Sequence, residues 1–167
     1  MKIIFLDIDG VLNHQLFYEE KSQNQRYKEI GHPLCDLDPK AVGYLNTLIE
    51  DTGAQVVISS TWRKGKTVQA MQELLEKVGF KGKVIGLTPV LYWSGDCKTY
   101  HSAPRGCEIV EWMHRFSESK NDFIERYVIL DDDSDMLWHQ RNSFILIDGY
   151  CGLTPTQVYR ATRILNE

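Results

Sequence analysis

The chain has no apolar run approaching the roughly 18 residues that a membrane-spanning helix requires. Its apolar start, Ile3-Ile4-Phe5-Leu6, is cut short by Asp7. That stretch is too brief for the core of a secretory signal and no small-residue cleavage site follows it, so a cytoplasmic protein without membrane attachment is expected. Cysteine is sparse. Cys35, Cys97, Cys107 and Cys151 form no CxxC pair, which fits free thiols in a reducing compartment better than a disulfide framework. A zinc site built from His32, Cys35, Cys97 and His101 would follow no recognised ligand spacing. There is no internal repeat, no low-complexity tract and no basic excess: 19 Lys and Arg face 23 Asp and Glu, a net charge of −4. A protein that coats nucleic acid is normally basic, so the balance argues at first sight against one.

What is present is the material of one core. At 167 residues, 43% of them hydrophobic, the chain suffices for a single domain, here 1–167. Short continuous apolar runs at Ile3–Leu6, Val56–Ile58, Val84–Ile85, Tyr127–Leu130 and Phe144–Ile147 read as strands buried on both faces. Between them lie stretches with helical spacing: Ala41, Val42, Leu45, Leu48, Ile49; Val68, Met71, Leu74, Leu75, Val78; and Ile109, Val110, Met113, Phe116. Asp38-Pro39 offers an N-cap and a first-turn proline, Gly53 and Gly79 follow helices, and Thr154-Pro155-Thr156-Gln157 has capping-box spacing. Strands alternating with helices predict an α/β fold with a doubly wound parallel sheet.

In such a sheet ligands bind beyond the C-terminal ends of the strands. Three of those ends are polar: Asp7-Ile8-Asp9-Gly10, Ser59-Ser60-Thr61-Trp62-Arg63 and Asp131-Asp132-Asp133-Ser134-Asp135. Each alone reads equally well as turn and cap chemistry. Convergence of all three on one edge is far harder to explain that way. Gathered carboxylates raise one another's pKa unless a cation neutralises them. Oxygen donors without His or Cys among them suit Mg²⁺ and disfavour zinc. An EF-hand is excluded, because Gly10 is fourth in its loop and follows a strand. Gly65-Lys66-Thr67 imitates the end of a P-loop, but the glycine required five residues earlier is Ser60. Mg²⁺, a spare carboxylate, hydroxyls and a guanidinium are equipment for phosphoryl transfer.

In this order and context the motifs resemble the haloacid dehalogenase (HAD) superfamily of aspartate-nucleophile phosphatases. Leu6-Asp7-Ile8-Asp9-Gly10-Val11-Leu12 is similar to the first family motif, Val56-Val57-Ile58-Ser59 to the second, Arg105 to the basic third and Ile129-Leu130-Asp131-Asp132 to the acidic fourth. Gly86-Leu87-Thr88-Pro89, Arg105-Gly106-Cys107-Glu108-Ile109 and Gly152-Leu153-Thr154 extend the likeness to small HAD domains associated with RNA repair. A more distant likeness is to the phosphatase half of bacteriophage polynucleotide kinase-phosphatase.

The resemblance implies a HAD-like Rossmannoid domain in which Asp7 is the nucleophile and Asp9 the general acid and base. Ser59 and Arg105 would hold the phosphoryl oxygens, with Ser60 and the backbone at Gly10 assisting. Mg²⁺ would sit among Asp7, the Asp9 carbonyl, Asp131 and Asp132, with Asp135 as the alternative acid. Lys98 competes with Arg105, since the third motif is usually lysine. Arg63 reads either as a contact to a distal phosphate or as a surface cation beside Lys64 and Lys66. Trp62, Tyr92 and Trp93 read as packing or as platforms for a base.

Two segments remain for covering the site, approximately 13–37 and 87–104, and neither is long enough for a large cap. A lightly covered site suits the terminal phosphate of RNA or DNA as the phosphomonoester substrate, with nucleotide or metabolite phosphatase and a non-catalytic phosphate-binding module as rivals. The charge balance then reads differently. Setting aside Asp7, Asp9, Asp131, Asp132, Asp133 and Asp135 leaves 17 acids against 19 bases, and residues 60–105 carry eight Lys or Arg against three acids. That pattern allows a nucleic-acid end and predicts contact with few phosphates. It does not bear on oligomeric state.

Overall fold

In the computed structural model, which describes residues 1–23, 36–94, 100–119 and 123–167, the apolar runs form one parallel sheet. The elements follow in the order β1 (Lys2–Leu6), α1 (Gln15–Ser22), α2 (Pro39–Thr52), β2 (Gln55–Ile58), α3 (Val68–Glu76), β3 (Val84–Leu87), β4 (Tyr92–Ser94), β5 (Tyr100–Ser102), α4 (Arg105–Ser119), β6 (Arg126–Asp131), β7 (Phe144–Leu146) and α5 (Pro155–Asn166). Single 3₁₀ turns at Thr61–Arg63 and Trp138–Gln140 lie between them. The sheet order is β3-β2-β1-β6-β7 and every pairing is parallel.

Successive strand residues point to opposite faces, which separates the core into two layers. Ile4, Leu6, Val56, Ile58, Val128 and Leu130 pack with α2, α3 and α5. The alternate residues Ile3, Phe5, Val57 and Ile129 pack with Ile109, Trp112 and Met113 of α4. Both faces are covered, which is why the strands read as unbroken apolar runs. Asp38 caps α2 by accepting the Lys40 N–H at 2.9 Å, and Gly53 ends it at φ 67°, where a side chain would be strained. At α5 the Thr154 N–H donates to Gln157 Oε1 at 3.2 Å, one half of the expected capping box.

Two elements lack a strong periodic signal. In α1 only Phe17 is buried, so its apolar face is one residue wide. The antiparallel pair β4–β5 is three residues per strand. These elements occupy the described parts of segments 13–37 and 87–104. His32, Cys35, Cys97 and Lys98 lie outside the described residues, and so does any test of the zinc grouping or of Lys98. Among the described residues no helix is long and apolar enough to cross a membrane.

The strand order places the site. From β1 the chain moves outward through β2 and β3, then returns to β6 on the other side, so the switch point lies between β1 and β6. Leu6 is in register with Leu130, which sets Asp7 level with Asp131 at that point. This is where an open α/β sheet binds ligands.

Candidate active site

Asp7, Asp131 and Asp132 each present one carboxylate oxygen, and the three lie within 4.8 Å of one another. Asp7 is 5% exposed and Asp131 fully buried. Removal from water pushes both carboxyls up, and Arg105 beside Asp7 only partly offsets this. Asp131 is pushed up to about 7, first by burial and then by the Asp7 charge, against the pull of the Asp133 N–H. Asp132 is also raised, by desolvation first and then by Asp133 and Asp9.

A divalent cation fits this grouping on its donor chemistry. The donors are all carboxylate oxygens, as Mg²⁺ prefers, and the fully buried Asp131 Oδ2 has no hydrogen-bond partner. Gly10 makes the close approach possible: it sits at φ 69°, and a Cβ there would come within 2.1 Å of Asp132 Oδ2. Any side chain at that position would displace the Asp132 carboxylate from the grouping.

The sign of the Asp131 shift predicts a pH effect. A carboxyl with a folded pKa near 7 and an ordinary value of 3.8 contributes stability below the ordinary value and loses it as pH rises through the folded one, in total on the order of 4 kcal/mol. Thermal melts of metal-free protein should therefore fall between about pH 4 and pH 7 more steeply than melts of Asp131→Asn. Mg²⁺ should restore the wild type chiefly at the higher pH. Equal pH slopes for the two proteins would contradict the assignment.

Arg105 opens α4 and turns its guanidinium to the same acids. Its Nη1 lies 3.8 Å from Asp7 Oδ1 and its Nε 4.0 Å from Asp131 Oδ2, and Nη1 is buried without a hydrogen-bond partner. These are ion-pair distances with donor capacity left over. Asp135 stands behind this helix start: its Oδ2 accepts the Arg105 N–H at 2.7 Å. Asp135 is thereby an anchor for Arg105 and lies outside the three-carboxylate grouping, while its Oδ1 is buried without a hydrogen-bond partner. The Asp133 carboxylate accepts the Ser134 N–H.

Two further expectations are corrected by packing. Arg63 is neither a surface cation nor a phosphate contact. It is 4% exposed, and its five N–H donors reach the carbonyls of Thr88 (2.8 Å), Ser59 (3.3 Å), Ser60 (2.6 Å) and Pro89 (3.1 Å) and the carboxylate of Glu108. No donor remains for a ligand. The Ser60 hydroxyl hydrogen-bonds Asp7. Ser59 continues the ladder by donating its N–H to Leu6 O at 2.9 Å, and its buried hydroxyl has no hydrogen-bond partner. The Gly10 N–H is not available to a phosphate, because it donates to Asn13 Oδ1 at 3.0 Å.

Asp9 is exposed but held. Asn13 Nδ2 donates to its Oδ1 and the Trp62 indole N–H to its Oδ2, each at 2.8 Å. Trp62 also packs against the larger core layer, so neither of the roles weighed from sequence describes it fully. Thr67 of the P-loop look-alike caps α3 by accepting the Ala70 N–H at 3.1 Å. Beside Asp9 and Asp132 lies an open cleft of about 700 Å³, lined also by His14, Tyr18 and Glu19.

No curated protein and no solved structure matches the chain. One family model does, over residues 3–158, and it takes in every residue of the acidic grouping, the Ser60–Arg63 segment and Arg105. By that match the chain belongs to the family described as the HAD domain in Swiss Army Knife RNA repair proteins, a branch of the HAD-type hydrolases.

Proposed function

We propose that this domain is a Mg²⁺-dependent phosphomonoesterase that works through an aspartyl-phosphate on Asp7 and acts on the terminal phosphate of RNA or DNA. The observation that carries the reading is the setting of Asp7. One carboxylate stands between two neighbouring acids within 4.8 Å and a guanidinium with unused donors at 3.8 Å. A carboxylate so flanked can approach an anionic phosphoryl group once positive charge faces it from both sides.

Asp7, Asp131 and Asp132 would hold the cation, which supplies charge neutralisation for the carboxylates and the phosphoryl oxygens. The Asp7 oxygen attacks phosphorus while the bond to the leaving oxygen breaks, and Asp9 gives its proton to that oxygen. Asp9 then takes a proton from water as the water attacks phosphorus and the bond to Asp7 breaks, releasing phosphate and regenerating the carboxylate. Arg105 binds the equatorial oxygens throughout, and Ser60 holds the Asp7 carboxylate in line.

The family's RNA repair description and the basic character of residues 60–105 support a nucleic-acid end as substrate. The cleft beside Asp9 supports a second reading, since about 700 Å³ is the size of a small-molecule site. Turnover of a 3′-phosphorylated oligonucleotide, a 5′-phosphorylated one and a free mononucleotide, with Mg²⁺ and then with a chelator, separates them. Faster release from an oligonucleotide, abolished by chelation, is expected. A mononucleotide turned over faster would favour the cleft reading, and no release from any substrate would refute the phosphatase.

A further inference from the structure

We propose that Trp62 is a positioning residue for the acid-base carboxylate, acting with Asn13 to hold Asp9 in the orientation from which it transfers its proton. The inference rests on the role given to Asp9 above and adds what aims it.

Asp9 lies in the turn after β1, where an exposed carboxylate would ordinarily sample several rotamers. Here both oxygens are engaged, by Asn13 Nδ2 and by Trp62 Nε1, each at 2.8 Å. Both partners present N–H groups with a fixed sense. The indole has a donor and no acceptor, and Asn13 has its own oxygen committed to the Gly10 N–H at 3.0 Å, which turns its NH₂ toward Asp9. Each carboxylate oxygen has a second lone pair, and the two donors orient those lone pairs together. A proton carried by Asp9 must then sit on the side away from Trp62 and Asn13.

Trp62 is itself fixed from both sides. Ser60 Oγ accepts the Trp62 backbone N–H at 3.3 Å, and Arg63, the next residue, is anchored by the five donors already described. The ring packs against the core layer that holds α2 and α3. Four consecutive residues therefore tie the nucleophile, through Ser60, and the acid, through Trp62, to one buried cation.

General acid catalysis is worth about 10² to 10⁴ in rate, and its benefit grows as the leaving group becomes more basic. Loss of aim should cost a part of that, about 10-fold on an alkyl phosphate. The test compares wild type, Trp62→Phe, Asp9→Asn and the double variant on an alkyl phosphate and on nitrophenyl phosphate, whose leaving group needs little protonation.

Trp62→Phe should lower kcat on the alkyl ester about 10-fold, with KM and the nitrophenyl rate nearly unchanged. In the Asp9→Asn background the same substitution should have no further effect on the alkyl ester. Replacement of Trp62 by benzothienylalanine, which keeps the bicyclic shape and lacks the N–H, repeats the measurement without disturbing packing. Equal losses on both esters, no loss on either, or an undiminished loss in the Asp9→Asn background would overturn the positioning role. If Asp9→Asn itself failed to distinguish the esters, the acid-base assignment of the preceding section would fall first.

Discussion

Asp7→Asn is expected to remove essentially all Mg²⁺-dependent phosphatase activity, a loss on the order of 10⁴-fold or more, and at the same time to raise the melting temperature of the metal-free protein. The two effects share one cause. Asp7 is a buried carboxyl whose charged form is disfavoured by desolvation and by Asp132, with Arg105 compensating only in part. An amide of the same shape keeps the packing and drops the charge, so the fold gains what the chemistry loses. Single-turnover assays with a phosphorylated oligonucleotide, paired with thermal melts in chelator, measure both. A variant that still turned over substrate would end the aspartyl-phosphate mechanism. It would also revive the view of the domain as a module that merely binds phosphate. A variant that melted earlier would contradict the electrostatic account of the site.

The second large effect concerns stability. Arg63→Met should destabilise the domain by about 4 kcal/mol or more. It strands the buried Glu108 carboxylate and leaves the carbonyls of Ser59, Ser60, Thr88 and Pro89 without their donor. A buried ion pair can often be exchanged for apolar residues at little cost. Here the four carbonyls prevent it, and Arg63→Met combined with Glu108→Leu should recover only part of the loss. Glu108→Gln should be milder, about 1 to 3 kcal/mol, because an amide oxygen can still accept from Leu91 N–H, which Glu108 now receives at 3.0 Å. Urea denaturation reads all three. A phosphate-binding Arg63 would behave oppositely, with stability unchanged and KM raised, and that outcome would reverse the correction made from packing.

The strands, the helix caps and the acidic edge were legible because each is local. Ile3–Leu6 and Val56–Ile58 announce burial by composition, and Asp38-Pro39 announces a helix start by chemistry confined to two residues. The acidic grouping was legible for a related reason: a parallel sheet brings its strand ends together whatever the helices do, so Asp7 and Asp131 could be placed side by side from topology alone. What escaped is pairing across the chain. Arg63 sits beside Lys64 and Lys66 in sequence and so resembles a surface cation, whereas its partner Glu108 is 45 residues away on α4. Trp62 meets Asp9 over 53 residues, and Asp135 reaches back 30 to cap Arg105. Periodicity does not encode such pairs.

The five-donor anchorage of Arg63 has a bearing on how the protein breathes. Local opening of a loop is cheap when it exposes only backbone already near water. The stretch from Ser60 to Arg63 cannot open that way, since releasing it would separate the guanidinium from Glu108 and uncover the ends of β2 and of the segment through Thr88 and Pro89. Its excursions are therefore tied to those of the sheet edge and α4 as one cooperative unit. Nucleophile and acid inherit that protection through Ser60 and Trp62, so their alignment persists for as long as the domain as a whole stays folded.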